Sequence, residues 1–280
     1  MALAKDYASV MSRKGEIMKK ALGMDFSAFE SGSIAFDYEK MMSSTGFSME
    51  EVERVQGLTG VGNTPLFTLR NLTALARKCA RPGYGATICV KDEMTNPSGS
   101  FKARRAACAV AFAKAFAAKT GAVVAINASL YSPFGIAGIE TLGHEIALQC
   151  RAQFGRDPDM VVCTNAGGGM VTGTARGLRK AGVGHTQIVA ASIDLTGLHM
   201  ASDTQFNRKS CTTGHTGFGV PFANWPGRSD VPRSAARPLR YMDRYVTVTQ
   251  GEVMCITELL ANLEGLERGV GLKPSTAAAL

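Results

Sequence analysis

The chain has one tryptophan and four histidines in 280 residues. His144, His185 and His199 have no acid or cysteine nearby at ligand spacing, so no histidine-built metal site is expected. The seven cysteines are odd in number, and no two form a Cys-x-x-Cys pair. That excludes a disulfide framework and a zinc ribbon. Cys89, Cys108 and Cys163 lie in apolar runs, where a buried thiol is the expected role. Long hydrophobic runs are lacking as well: the longest, 106–113, is too short to span a bilayer. The first twenty residues hold no apolar segment, so no secretory signal is expected, and the expected location is cytoplasmic. Neither Gly-x-Gly-x-x-Gly nor the Walker phosphate loop occurs. Acids are the scarcer charge, 23 against 31 basic residues, for a net +8 and a pI near 9.2. The basic residues are scattered and not interleaved with aromatics, which argues against nucleic acid and leaves a small phosphorylated ligand as the partner.

What remains is an ordinary globular composition, 45% hydrophobic and 19% charged, long enough for a core without staples. The 31 glycines cluster, as loops do when they approach a ligand closely. Helical spacing is expected over 11–22. Ser48 is placed to cap a helix, with Glu51 at the capping-box position. Gly62-Asn63-Thr64-Pro65-Leu66 reads as a turn, 71–79 as a short helix, and 86–90 as a buried strand. The loop 96–101 leads into an alanine-rich helix over 103–118, with Phe112 and Phe116 on one face. A strand over 121–126 and a helix over 134–149 follow, the latter with Ile139, Leu142 and Ile146 about one turn apart. Strand 159–164, loop 165–169, helix 171–181 closed by Gly182, and strand 187–194 form a βαβ unit, so an α/β fold with a parallel-sheet core is predicted. A long loop over 210–238, a short strand over 246–248 and a helix over 250–263 complete the chain. Three segments are expected: 1–60, helical; 61–120, carrying a lysine motif; and 121–280, carrying a glycine loop.

Three places could carry chemistry. Lys102 stands at a helix start beside Arg104 and Arg105, where dipole and charge both disfavour an ammonium. A neutral amine there suits Schiff-base chemistry, although position alone also fits a solvated lysine. Asn165-Ala166-Gly167-Gly168-Gly169 lies between strand and helix, where backbone N–H groups and the helix dipole favour a phosphate; a simple tight turn is the other reading. The loop 213–221 is rich in glycine and contains His215, a possible proton carrier; it fits a pocket wall and a surface connection equally. The paired acids Glu50-Glu51 and Asp92-Glu93 are expected to be solvated.

Taken together these motifs resemble a known family. Asn96-Pro97-Ser98-Gly99-Ser100-Phe101-Lys102 followed by Arg104 is similar to the lysine motif of fold-type II pyridoxal-phosphate enzymes, the tryptophan synthase β-like superfamily. Gly62-Asn63-Thr64-Pro65-Leu66 resembles its N-terminal turn, Gly167-Gly168-Gly169 its phosphate loop, and Gly217-Phe218-Gly219-Val220-Pro221 its glycine loop beside the cofactor. The stretches FSAFESGSIAFDYEKMM, NASLYSPFGIAG and VVCTNAGGG are similar to a branch of β subunits that cleave 2-amino-4-oxopentanoate with coenzyme A, in ornithine degradation. The resemblance implies pyridoxal 5′-phosphate as cofactor and coenzyme A as co-substrate, with acetyl-CoA and alanine as products. It implies Lys102 as the Schiff-base lysine and Cα-proton carrier. Gly167, Gly168, Gly169, Thr172, Ser100, Gly217 and Gly219 would hold the cofactor. The implied partners are a small amino-acid substrate, an α subunit and further copies of the chain. Two other readings stay open: β- or γ-replacement or lyase chemistry of the threonine or cysteine synthase type, and an inactive relative serving as scaffold or fragment. The sequence departs from the family in two respects. No Ser-Gly-Asn-x-Gly loop follows the lysine helix, and the family's C-terminal strands do not follow 274–277, so an incomplete small domain is expected.

Overall fold

In the computed structural model, residues 48–120, 133–165, 168–193 and 240–267 are described, with short stretches at 7–13, 15–16, 19–20, 26–31, 35–36 and 40. The predicted strand at 121–126, the loop at 210–238 and the side chains of Phe112 and Phe116 lie outside them. Helix α1 is Tyr7–Ser12, and strands β1 (Glu30–Ser31) and β2 (Ala35–Phe36) pair antiparallel. Helix α2 is Met49–Gly57. Ser48 caps it by accepting from the Glu51 N–H at 3.2 Å. The Glu51 carboxylate pairs with Arg54 at 2.8 Å. A full capping box forms instead at Thr249 and Glu252, at the start of the last helix.

Strand β3 (Leu66–Thr68) pairs antiparallel with β4 (Cys89–Lys91). Helix α3 (Arg70–Cys79) connects them. β3 has no signal of its own in the sequence, being three residues long, and its length sets where β4 begins. The strand predicted at 86–90 therefore starts later, at Cys89. Helix α4 is Lys102–Thr120 and α5 is Pro133–Phe154. β5 (Met160–Thr164), α6 (Gly169–Lys180) and β6 (Gln187–Ile193) form the βαβ unit, and β7 (Arg244–Val248) follows in the same sheet. The order is β5-β6-β7 and both pairings are parallel, as predicted. Helix α7 is Gln250–Glu264.

The apolar spacing of α5 is used as expected: Ile139, Leu142 and Ile146 are all buried. They join Val171, Ala175 and Leu178 of α6 and Cys163, Ile188 and Ala190 of the sheet in the main core. That core also draws in Phe29, Val52 and Leu66. Each such aliphatic side chain contributes about 1.5–3 kcal/mol by leaving water. α5 runs one turn past its predicted end because Gln153 donates to the Leu66 carbonyl at 2.9 Å, tying the last turn to β3. A second core holds Leu69, Leu72, Ile88 and Val90 against Ile256 and Leu260 of α7. Helix contacts are close because glycine removes the side chain at the crossings. A Cβ at Gly143 would sit 2.0 Å from the Thr174 carbonyl oxygen, and one at Gly177 1.9 Å from that of Glu140. α5 thus packs between α4 and α6, meeting the start of α4 at Arg104 and the middle of α6 at residues 173–178.

Candidate active site

Lys102 is the first residue of α4, and its side chain is exposed. The loop before it is shaped by local bonds. Gly99 has φ of 67° and its N–H donates to the Asn96 carbonyl at 2.7 Å. The Lys102 N–H donates to Ser100 Oγ at 3.3 Å, and the Arg104 N–H to the Phe101 carbonyl at 3.1 Å. Pro97, Ser98 and Gly99 are exposed, whereas Asn96 and Arg104 at the two ends are buried.

Beneath the loop lies a buried ionic network. Arg104 is fully buried and forks onto two carboxylates. Nε and Nη2 donate to Glu93 at 2.7 and 2.8 Å, and Nη1 and Nη2 to Glu145 at 2.7 and 2.8 Å. Nη1 also donates to Thr141 Oγ1 at 2.8 Å. Lys91 Nζ donates to Glu145 at 2.6 Å and to Gln149 at 2.9 Å. Two cations thus face two carboxylates, and no net charge is left buried. Burial would raise the Glu145 carboxyl, but hydrogen bonds and charge from Arg104, then Lys91, outweigh it and hold it at about 2. Burial lowers the Lys91 ammonium from its usual value, against the pull of Glu145. Arg104 is raised further, its carboxylate bonds outweighing burial.

The network also grips the Gly62–Leu66 turn. Gly62 and Asn63 both have positive φ, 91° and 50°. Their N–H groups donate to Asn96 Oδ1 at 3.0 Å and to Glu145 Oε1 at 2.7 Å. Gln56 donates to the carbonyls of Arg104 at 3.1 Å and Gly138 at 2.6 Å, joining α2, α4 and α5. The solvated reading of Asp92-Glu93 is therefore corrected: Asp92 caps a short 3-10 turn and Glu93 is bound by Arg104. Arg104 acts on the lysine loop through this pairing. His144 likewise meets an acid that local spacing could not reveal, Glu53 at 3.1 Å.

The glycine loop opens α6. Gly168 is the N-cap, with φ of 76° and no side-chain cap, so a Cβ there would be strained. Gly169 is the first residue of the helix, and the Thr172 N–H donates to the Gly168 carbonyl at 3.0 Å. Thr172 is fully buried, and among the described residues its Oγ1 has no hydrogen-bond partner. Asn165, just after β5, is also buried, and its Oδ1 has no partner among the described residues. Its amide orientation follows from Ser192. Ser192 Oγ spends its proton on the Asn165 carbonyl at 2.6 Å, so it can only accept from Asn165 Nδ2, at 3.4 Å. An uncapped helix start, a left-handed glycine and an orphaned buried hydroxyl in the first turn fit a phosphate-bearing group.

Of the expected cofactor residues, Gly168, Gly169 and Thr172 come together in one turn, and Ser100 and Lys102 in another. Gly167, Gly217, Gly219 and His215 lie outside the described residues. Burial pushes the thiols of Cys108 and Cys163 up to about 12, in keeping with a packing role. Among the described residues no cluster of His, Cys, Asp and Glu could hold a metal, and no helix is long and apolar enough to cross a membrane.

The family model described as Pyridoxal-phosphate dependent enzyme matches residues 109–280, more than half of the chain. The chain belongs to the pyridoxal-phosphate-dependent enzymes, and its fold is fold type II. It is similar to the 2-amino-4-ketopentanoate thiolase beta subunit of Acetoanaerobium sticklandii, at 53% identity over 98% of this chain and 73% of the relative. A relative of the same name from an unknown prokaryotic organism is 48% identical over 99% of this chain and 75% of its own. These alignments run over 345 and 352 positions, more than the 280 residues of the chain, so part of each relative lies opposite internal gaps. Among solved structures, a T.th. threonine deaminase superposes with a TM-score of 0.58 at 19% identity, covering 82% of this chain and 89% of its own. Maize serine racemase superposes with 0.54 at 16% identity, covering 83% and 87%. At these identities the likeness shows the fold.

Proposed function

We propose that the chain works as the β subunit of a thiolase that cleaves 2-amino-4-ketopentanoate with coenzyme A, releasing acetyl-CoA and alanine. The observation that carries this reading is the 53% identity to a β subunit of that name over nearly the whole chain. When bound, pyridoxal phosphate supplies an electron sink for breaking bonds next to the amino-bearing carbon. The chain's own residues divide the remaining work. The N-terminal end of α6, with Gly167, Gly168, Gly169 and Thr172, binds the phosphate through backbone N–H groups and the Thr172 hydroxyl. Lys102 offers its Nζ as the covalent attachment point and holds or moves a proton there. Ser100, Gly217 and Gly219 line the cofactor. Asn165 Oδ1 is an acceptor, so it suits an N–H or O–H group rather than a phosphate. Lys102 precedes the matched span 109–280, so its role rests on its motif and on its place at the helix start. The relatives are named beta subunits, which supports an α subunit as partner. The three-segment division at 60 and 120 is part of the same proposal.

The internal gaps favour a second reading, an inactive relative that keeps the cofactor frame as a scaffold. Turnover separates the two. The chain, supplied with pyridoxal phosphate and an α subunit of the thiolase, is expected to form acetyl-CoA and alanine from 2-amino-4-ketopentanoate and coenzyme A. O-acetylserine and phosphohomoserine are expected to give no product. Product from either of those instead points to replacement or lyase chemistry. Bound cofactor with no turnover of any of the three supports the scaffold.

A further inference from the structure

The exposed segment that carries Lys102 is closed at its base by one carboxylate. Glu93 Oε2 accepts from Asn96 Nδ2 at 2.9 Å and from Arg104 Nε at 2.7 Å. Asn96 begins the lysine loop, and Arg104 lies two residues beyond the lysine. One partly buried oxygen therefore binds both ends of the segment. The outer ends of this clasp are fixed to other elements. Asn96 Oδ1 receives the Gly62 N–H at 3.0 Å. Arg104 reaches Thr141 and Glu145 on α5 at 2.7–2.8 Å. A Cβ at Gly138 would lie 2.2 Å from the Arg104 carbonyl oxygen, so the backbone of this turn is pressed against α5. Between the two ends Pro97, Ser98 and Gly99 have no burial to hold them.

We propose that Asn96, Glu93 and Arg104 form a positioning clasp for Lys102, which sets the path of the loop and the direction in which the lysine leaves the helix. This rests on the reading that Lys102 is the covalent attachment point. The clasp depends on the planar fork of arginine. A lysine at 104 keeps the charge but cannot bridge Glu93 and Glu145 in two bidentate pairs. Reactive groups tolerate little displacement: a shift near 1 Å can cost about a hundredfold in rate.

The test follows the labelling of Lys102 over time. Pyridoxal phosphate is added to the chain, samples are reduced with borohydride at intervals, and pyridoxyl peptides are quantified by mass spectrometry. Arg104→Lys, Glu93→Gln and Asn96→Ala are compared with the unmodified chain, at a temperature where circular dichroism shows each variant folded. Asn96→Ala leaves every buried charge paired, and it carries the test if neither charge variant folds. The expected result is labelling of Lys102 slowed about tenfold or more in each folded variant, with a larger share of label on other lysines. A folded variant that labels Lys102 at the unmodified rate overturns the clasp. The underlying reading fails in a different way: the unmodified chain then shows no label at Lys102.

Discussion

Two buried polar regions of this molecule are built differently. Under the lysine loop, the Arg104 guanidinium is matched to two carboxylates and two threonine hydroxyls, and Lys91 completes the charge balance. At the start of α6, Thr172 Oγ1 and Asn165 Oδ1 are buried with no hydrogen-bond partner among the described residues. Leaving a buried polar atom unpaired costs about 1–3 kcal/mol, so such atoms are rare unless something else binds there. The first region is complete as a protein structure. The second leaves polar atoms open among the described residues, as the proposed phosphate site requires. The contrast separates residues that hold the fold from residues proposed to hold the cofactor, and it can be attacked from both sides.

The largest effect is expected in the first region. Arg104→Met leaves Glu93 without a cation and Glu145 with Lys91 alone, a loss of about 3 kcal/mol. Urea denaturation without cofactor measures it. An unchanged midpoint would mean that the network does not support the fold. Acid provides the next test. Because Glu145 is held near 2 in the folded chain, against an ordinary 4.5, its pairing stabilises the fold above about pH 4.5 and is lost as pH falls toward 2. The shift corresponds to roughly 3 kcal/mol. Denaturation midpoints across that window should fall for the unmodified chain and flatten for Glu145→Gln.

The second region should respond in the opposite sense. Thr172→Val removes a hydroxyl that bonds nothing, so stability without ligand should hold or rise by up to about 1 kcal/mol. Affinity for pyridoxal phosphate should fall about tenfold, or about 1.4 kcal/mol. Affinity for pyridoxal, which lacks the phosphate, should not change. Equal losses for both ligands would remove the hydroxyl from the phosphate site. The smallest effect marks the background for ordinary surface structure. Ser48→Ala deletes one helix cap and should cost about 1 kcal/mol in urea denaturation, with no change in cofactor binding.

The sequence made the second region much easier to read than the first. DMVVCT and QIVAASID are apolar runs of strand length, and the glycines between strand and helix announce a close backbone approach. The parallel β5-β6 pairing and the turn at Gly168 follow from local pattern alone. The Arg104 network has no local pattern. Its partners lie 11 and 41 residues away, and Glu93 sits in an acid pair that looks solvated at a strand end. Only the packing of α5 across the lysine loop brings Glu145 to Arg104. β3 escaped notice for a related reason: three residues gain their strand identity from pairing with β4. Local pattern thus identifies most of the elements and the glycine loop before α6. The ionic support beneath Lys102 came from contacts that the chain makes only when folded.

Lys102 is the proposed covalent site, and one measurement addresses it directly. The folded chain is saturated with pyridoxal phosphate, reduced with borohydride, digested and mapped, beside a Lys102→Ala variant. The prediction is a single dominant pyridoxyl group on Lys102 that disappears in the variant. Label spread over other lysines, and unchanged when Lys102 is removed, would contradict it.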